Sequence, residues 1–392
     1  MIRKWRLMPY KGKWQHMFCE QLAMEELKKK VTEEHNPGAD FVELLTSTFG
    51  NYGLRLSFSA YSFTIKNLMQ RSLFPQLPFI LDNLEKVESF ETSERIFINL
   101  IHCYGDANML QEAVDIFFRI PKFRCTPSVK SLDSLLFTLC KRKEGLILVP
   151  DVLTRIPLMN LRLEGSSFWI LIRALCKNGK VLSALELLDM MKLQECIPDS
   201  RTYSYILSSL CENADSVKVL DFLEEMKNAG FSPSLMDCTS VINVLVKEGK
   251  ADDAFAILWQ MKSDGLCPDV VNYTSVLKGY ILSGDFQKAE AMFDEMLVIG
   301  LVPDSFAYNT YINGLCKQGH FEQACTMLVF MEKMGCSPGT LTYNIIIGAY
   351  CKAGEFGKAK EIMKRMQEKN VAGNSHTYRF MSGLLNKGEI VE

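Results

Sequence analysis

Hydrophobic residues recur along most of the chain at helical rather than strand spacing. Between 200 and 234, Tyr203, Ile206, Leu207, Leu210 and Cys211 follow i, i+3, i+4, i+7 and i+8, the stripe of an amphipathic helix. A second stripe of this kind, Phe321, Ala324, Cys325, Leu328 and Met331, lies in the segment 305–339 after a glycine-marked break. Each segment therefore predicts two helices of roughly a dozen residues, each about 18 Å long. Thr202 and Thr342, just ahead of Tyr203 and Tyr343, are the expected N-caps. A glycine permits the left-handed turn that ends the first helix, Gly335 closes the second, and Pro338 forbids its continuation.

The punctuation keeps a fixed beat. Pro127, Pro198, Pro233, Pro268, Pro303 and Pro338 are separated by 71, 35, 35, 35 and 35 residues. Gly179, Gly249, Gly284, Gly319 and Gly354 keep step, as do Gly230, Gly265, Gly300 and Gly335. Neither helix of a pair can bury its stripe alone, so a period of 35 from about Glu94 to Asn374 predicts a stacked array. The 392 residues would otherwise suggest two or three globular domains.

The expected fold is all-α, a right-handed α-solenoid superhelix of 35-residue helix-turn-helix repeats. Eight repeats fill 94–374: 94–128, 129–164, 165–199, 200–234, 235–269, 270–304, 305–339 and 340–374. A degenerate unit, 59–93, precedes them with Pro75 and Pro78 in unusual places, and a half unit, 375–392, follows. Residues 1–58 form a basic, helical N-terminal region, where Gln21 to Lys30 reads as an amphipathic helix stopped by Asn36-Pro37-Gly38. Arg3, Lys4, Arg6, Lys11 and Lys13 all precede the first acid, Glu20, as in either a targeting segment or a basic first helix.

Composition narrows the class. The chain is 48% hydrophobic and 23% charged, which excludes wholesale disorder, and no apolar run approaches the roughly 18–20 residues that span a bilayer. Among 13 cysteines there is no Cys-x-x-Cys pair and no zinc-ligand spacing. Cys140, Cys176, Cys211, Cys316 and Cys351 instead fall 36, 35, 105 and 35 residues apart, as a small buried residue recurring at one repeat position would. His16, His35, His102, His320 and His376 are scattered singly and read as surface or core residues. No metal, cofactor or catalytic site is expected.

The repeat itself has a recognisable form. Tyr308-Asn309-Thr310-Tyr311-Ile312-Asn313-Gly314-Leu315-Cys316-Lys317-Gln318-Gly319 and Tyr343-Asn344 through Cys351-Lys352-Ala353-Gly354 share one pattern, joined by Asp294-Glu295-Met296 and Pro303-Asp304. The pattern resembles the pentatricopeptide repeat family over about 300 of the 392 residues and fades before residue 94. The Trp/Gly/Tyr signature of the 34-residue tetratricopeptide repeat is missing.

The resemblance implies single-stranded organellar RNA as partner, one base per repeat, with first helices lining the concave face. It places base readers after the tyrosine and after the closing proline: Ser204/Ser234, Thr239/Asp269, Thr274/Asp304, Asn309/Gly339 and Asn344/Asn374. In the family Thr with Asp goes with guanine, Asn at the first site with pyrimidines, and Ser leans to purine. The core expected for units 200–374 is therefore 5′-RGGYY-3′. Ile98/Ser128, Asp133/Glu164 and Trp169/Asp199 depart from the pattern, which puts reading by units 94–199 in doubt. Met236, Val271, Phe306 and Leu341 are the expected base-packing residues, or alternatively fillers of the gaps between repeats, whereas Lys130, Ser166 and Arg201 do not fit that role.

Charge tempers this reading. The formal net charge is −2, and residues 94–392 carry 32 basic and 35 acidic side chains. Yet Lys141, Lys177, Lys247, Lys317 and Lys352 share one repeat position at the ends of first helices, where a line of ammonium groups suits phosphates or simply complements the helix C-terminus. Glu212, Asp106 and Leu282 interrupt the line.

The ribonuclease, editing and endonuclease modules appended to some family members find no room after the repeats, and no His-x-Glu with Cys-x-x-Cys signature occurs, so no enzyme is expected. The runner-up function is a helical scaffold subunit of an organelle ribosome or other complex. A start poor in serine favours the mitochondrion over the chloroplast.

Overall fold

The computed structural model describes residues 8–34, 40–87, 90–213 and 215–385, and every regular element among them is helical. The chain divides into two compact units, Met1–Pro198 and Asp199–Glu392.

In the second unit the helices come in pairs: Ser200–Asn213 with Ser216–Asn228, Leu235–Lys247 with Ala251–Ser263, Val270–Ser283 with Phe286–Val298, Ser305–Gln318 with Phe321–Lys333, and Thr340–Ala353 with Phe356–Glu368. Ser375–Leu385 follows. Each first helix packs on its own second helix and on the next first helix, the stacking that repeated stripes demand. Tyr203, Tyr273, Tyr308 and Tyr343 occupy one position near the start of their helices and are fully buried, with Cys238 in that place in the pair between them. First helices approach closely because small residues allow it: a Cβ on Gly314 would lie 2.9 Å from the Ile281 side chain, and one on Gly279 3.0 Å from Val246.

The first unit carries the same motif in looser form. Its pairs are Met8–Glu33 with Phe41–Gly50, Phe58–Gln70 with Leu77–Lys86, Glu94–Asp106 with Leu110–Arg119, Val129–Cys140 with Val149–Arg155, and Gly165–Lys177 with Val181–Leu193. Two second helices tighten into 3₁₀ turns, Ile120–Phe123 and Ile156–Met159, where Pro121 and Pro157 lack the N–H an α-helix needs. Pro75 and Pro78 stand at helix starts, where that N–H is dispensable. The helix Met8–Glu33 extends well beyond 21–30 and buries Ala23, Leu27 and Val31. Residues 1–7, 35–39 and 386–392, and with them Asn36-Pro37-Gly38, most of the basic start and the end of the half unit, lie outside the described residues.

Two local readings change. Thr202 and Thr342 are not N-caps; they sit inside their helices, essentially unexposed. The caps lie three residues earlier, where Asp199 accepts the Thr202 backbone N–H at 2.8 Å and Gly339 opens Thr340–Ala353 in extended conformation. A cap must reach the N–H of the second or third helical residue, so the side chain after the closing proline is the one placed to do it. The left-handed beat is also longer than its glycines. Arg124, Asn160, Glu195 and Asn370 adopt φ of 56°, 59°, 57° and 54° in register with Gly230, Gly265, Gly300 and Gly335.

Of the phased cysteines, Cys176 and Cys316 are buried, while Cys140, Cys211 and Cys351 are half-buried. Burial pushes the thiols of Cys140, Cys211 and Cys316 up to about 12, so they remain protonated and unreactive near neutral pH.

Candidate nucleic-acid interface

The residues after the closing prolines are helix N-caps, and that fixes their geometry. Ser234 accepts the Asp237 N–H at 3.2 Å, Asp269 accepts that of Asn272 at 3.0 Å, Asp304 that of Ala307 at 2.8 Å, and Asn374 that of Thr377 at 3.2 Å. Gly339 caps its helix with backbone alone. All five positions are exposed. Capping takes one carboxylate oxygen of Asp269 and of Asp304. The second oxygen of each remains to accept from a ligand.

The residues after the tyrosines lie one turn into the same helices. Thr239 donates its hydroxyl proton to the Leu235 carbonyl at 2.7 Å, and Thr274 to that of Val270 at 2.6 Å. Both hydroxyls are thereby turned into acceptors. Thr239 is half-buried and Thr274 is 1% exposed, so only a group lodged directly against the helix could reach the latter. Ser204 donates to Asp237 at 2.8 Å, and the Ser234 hydroxyl donates to the same carboxylate at 2.7 Å. Asn344 donates to Asn374 at 2.9 Å, a direct bond between the two candidate readers of one unit. Asn309 has its Oδ1 buried without a hydrogen bond.

Met236, Val271, Phe306 and Leu341 are 74%, 53%, 58% and 60% exposed, which is not how residues filling gaps between repeats sit. They occupy the first turn of the helices that carry Thr239, Thr274, Asn309 and Asn344. Caps, hydroxyls, amides and apolar side chains thus share one end of successive first helices.

The lysines occupy the other end. Lys177, Lys247, Lys317 and Lys352 are exposed in last turns, about 12 Å along the axis from the readers, and make no ion pair among the described residues. Lys141 differs, pairing with Asp106 at 3.3 Å.

Positions in the first unit are set otherwise. Asp133 accepts from both Ser166 and Ser167, Ile98 is half-buried, and the Arg173 guanidinium lies over the Trp169 ring at 5.4 Å. No polar group remains at Ile98 to meet a base, and the Asp133 carboxylate is already engaged.

The sequence reading missed the third residue of three following helices, Asp237, Asn272 and Thr377, which bind the candidate readers. A polar residue three places after the cap, as in Ser234-Leu235-Met236-Asp237, is the signature that marks them.

Among the described residues no group of three or more His, Cys, Asp or Glu side chains is placed to hold a metal ion, and no helix is long and apolar enough to cross a membrane.

Comparison with known proteins returns one family. The chain matches the PPR repeat family at 166–212, 268–317, 303–352 and 338–387, the pentatricopeptide repeat domain at 221–281, and the PPR repeat at 95–125 and 201–231. It is 41% identical over 207 residues to a mitochondrial pentatricopeptide repeat-containing protein of Arabidopsis thaliana, covering 52% of this chain and 45% of that protein. A second mitochondrial relative from that plant is 28% identical over 147 residues, covering 37% of this chain and 36% of its own length. This chain thus spans less than half of either relative. Among solved structures, that of the maize pentatricopeptide repeat protein PPR10 is similar with a TM-score of 0.52 and 18% identity, over 98% of this chain and 59% of that one.

Proposed function

Since the chain belongs to the pentatricopeptide repeat family, we propose that it binds single-stranded RNA through residues 200–374, about one base per repeat, with 5′-RGGYY-3′ as the core it reads. One observation carries this reading. Thr239 and Thr274 have spent their hydroxyl protons on backbone carbonyls, and Asp269 and Asp304 each keep a carboxylate oxygen beyond the one that caps. Each pair therefore offers acceptors only. Guanine is the base whose Watson–Crick edge presents two adjacent donor groups, N1–H and N2–H₂. Adenine sets one donor beside one acceptor, cytosine one donor beside two acceptors, and uracil brackets one donor with two acceptors. The amides of Asn309 and Asn344 carry both kinds of group and suit such mixed edges. Met236, Val271, Phe306 and Leu341, more than half exposed beside the readers, supply apolar surface for base faces.

A titration of the full chain with a short RNA containing RGGYY tests this. The expected result is salt-sensitive binding that a scrambled RNA of equal composition competes poorly; equal competition removes base reading. Both relatives described above are named mitochondrial, and we place this chain in the same compartment. A fluorescent fusion excluded from mitochondria would contradict that placement. Splicing, end protection, stability and translation are the processes such binding would serve.

A scaffold role attaches to residues 94–199, where Ile98, Trp169 and the occupied Asp133 are poorly suited to bases. Protein partners that survive RNase treatment of a pull-down, and are lost when 94–199 is altered, would support it.

A further inference from the structure

Three candidate readers of the second unit, Ser204, Thr239 and Asn344, bond a side chain at the third position of the following helix, and that neighbour decides which of the reader's atoms remain free. Asn272 shows this most fully. Its amide donates to the Thr239 hydroxyl oxygen at 2.7 Å, while its Oδ1 accepts the Asp269 backbone N–H at 3.0 Å. One buried side chain thus ties both readers of unit 235–269 together. Thr239 donates to Leu235 and accepts from Asn272, which holds its oxygen at two points and leaves one lone pair for a ligand.

Unit 270–304 supplies an internal comparison. It carries the same pair, Thr274 and Asp304, but the third position of the following helix is Ala307, whose side chain has nothing to donate. The unit ending the array repeats the bridge with another residue: Thr377 donates to the Asn344 Oδ1 at 2.7 Å, and its own oxygen accepts the Asn374 N–H at 3.1 Å. The unit before it has the threonine but not the bridge. Thr342 is unexposed, and neither its hydroxyl nor the Asn309 Oδ1 finds a partner, in the one unit whose cap, Gly339, has no side chain.

Resting on the reading of Thr239, Asn344 and their partners as base readers, we propose that Asn272 and Thr377 are positioning residues that set base selectivity by fixing the reader side chains and consuming part of their hydrogen-bonding capacity. A reader held at two points offers its remaining lone pair in one direction, and the discrimination it achieves rises accordingly. Identical reader pairs are therefore not equivalent. The guanine facing unit 235–269 is selected more sharply than the one facing 270–304.

The test is a competition titration of the full chain against RGGYY and its single-base variants, with melting curves taken in parallel. Asn272→Ala is expected to lower guanine preference at the first G about three- to tenfold, the weight of one net hydrogen bond, and to leave the other four positions unchanged. Thr377→Ala does the same at the last pyrimidine, and Thr377→Ser restores it. Thr342→Ala, which removes a hydroxyl that bonds nothing, leaves selectivity at the fourth base as it was. Selectivity unchanged in Asn272→Ala and Thr377→Ala overturns the proposal, as does an equal loss at every base accompanied by lower melting temperature. A parent chain that fails to discriminate bases overturns base reading and this inference together. A discriminating parent with unaltered variants overturns this inference alone.

Discussion

At the scale of single residues, the proposal gives one side chain both a capping and a reading role, and the two can be separated. Asp304 accepts the Ala307 N–H at 2.8 Å, a bond that serine can also make from that place. Asp304→Ala should cost about 1 kcal/mol of stability in denaturant unfolding. Asp304→Ser should stay within about 0.5 kcal/mol of the parent and yet lose the guanine preference of its unit, because a hydroxyl replaces the carboxylate. A serine variant that keeps full guanine preference would remove Asp304 from the reading set. The candidate readers were legible because they recur in register while varying in identity. Their bonds were not. Whether Ser204 faces a base or Asp237 depends on a residue 33 positions away, brought alongside by stacking. The misplaced N-caps have a local cause: threonine beside a tyrosine looks like a helix start, but each helix begins two residues earlier and leaves that threonine buried inside it.

At the scale of elements, the helix pair is set by its hydrophobic stripes and by the small residues between them. Gly314 lies where a Cβ would come within 2.9 Å of Ile281, so Gly314→Leu should destabilise the second unit by about 1–3 kcal/mol through overpacking. Unchanged unfolding would mean that the two first helices can part without cost. The pairs from 165 onward were readable from the 35-residue beat of glycine and proline. The earlier ones were less so, for two physical reasons. Prolines convert the ends of two second helices to 3₁₀ turns, which blurs the helical period there. Arg124 and Asn160 adopt the left-handed turn without the glycine that advertises it, at a cost of about 1 kcal/mol each. The pair Met8–Glu33 with Phe41–Gly50 shows no repeat signature, yet Asp40 caps its second helix through the Val42 N–H at 2.8 Å.

For the whole molecule, near-neutral charge is compatible with the proposed RNA binding because of where the cations stand. In the second unit Lys247, Lys317 and Lys352 are exposed at first-helix ends without ion pairs among the described residues. Single-stranded RNA contributes a salt slope of about −0.7 per neutralised phosphate, so three such lysines predict log K against log salt falling with a slope of about −2. Exchanging all three for glutamine should flatten that slope while leaving base preference intact. A slope steeper than about −5 would mean that binding is chiefly electrostatic and that the readers contribute little.

Base reading by the second unit is tested most directly by moving one base. In Thr274→Asn an acceptor becomes an amide, and the base it faces is the second G of RGGYY. The variant is expected to prefer 5′-RGYYY-3′ over 5′-RGGYY-3′ by about tenfold in a direct competition titration, with the parent showing the reverse order, since one well-matched side-chain–base pair discriminates by roughly 1–3 kcal/mol. Equal affinity of parent and variant for the two RNAs would contradict it.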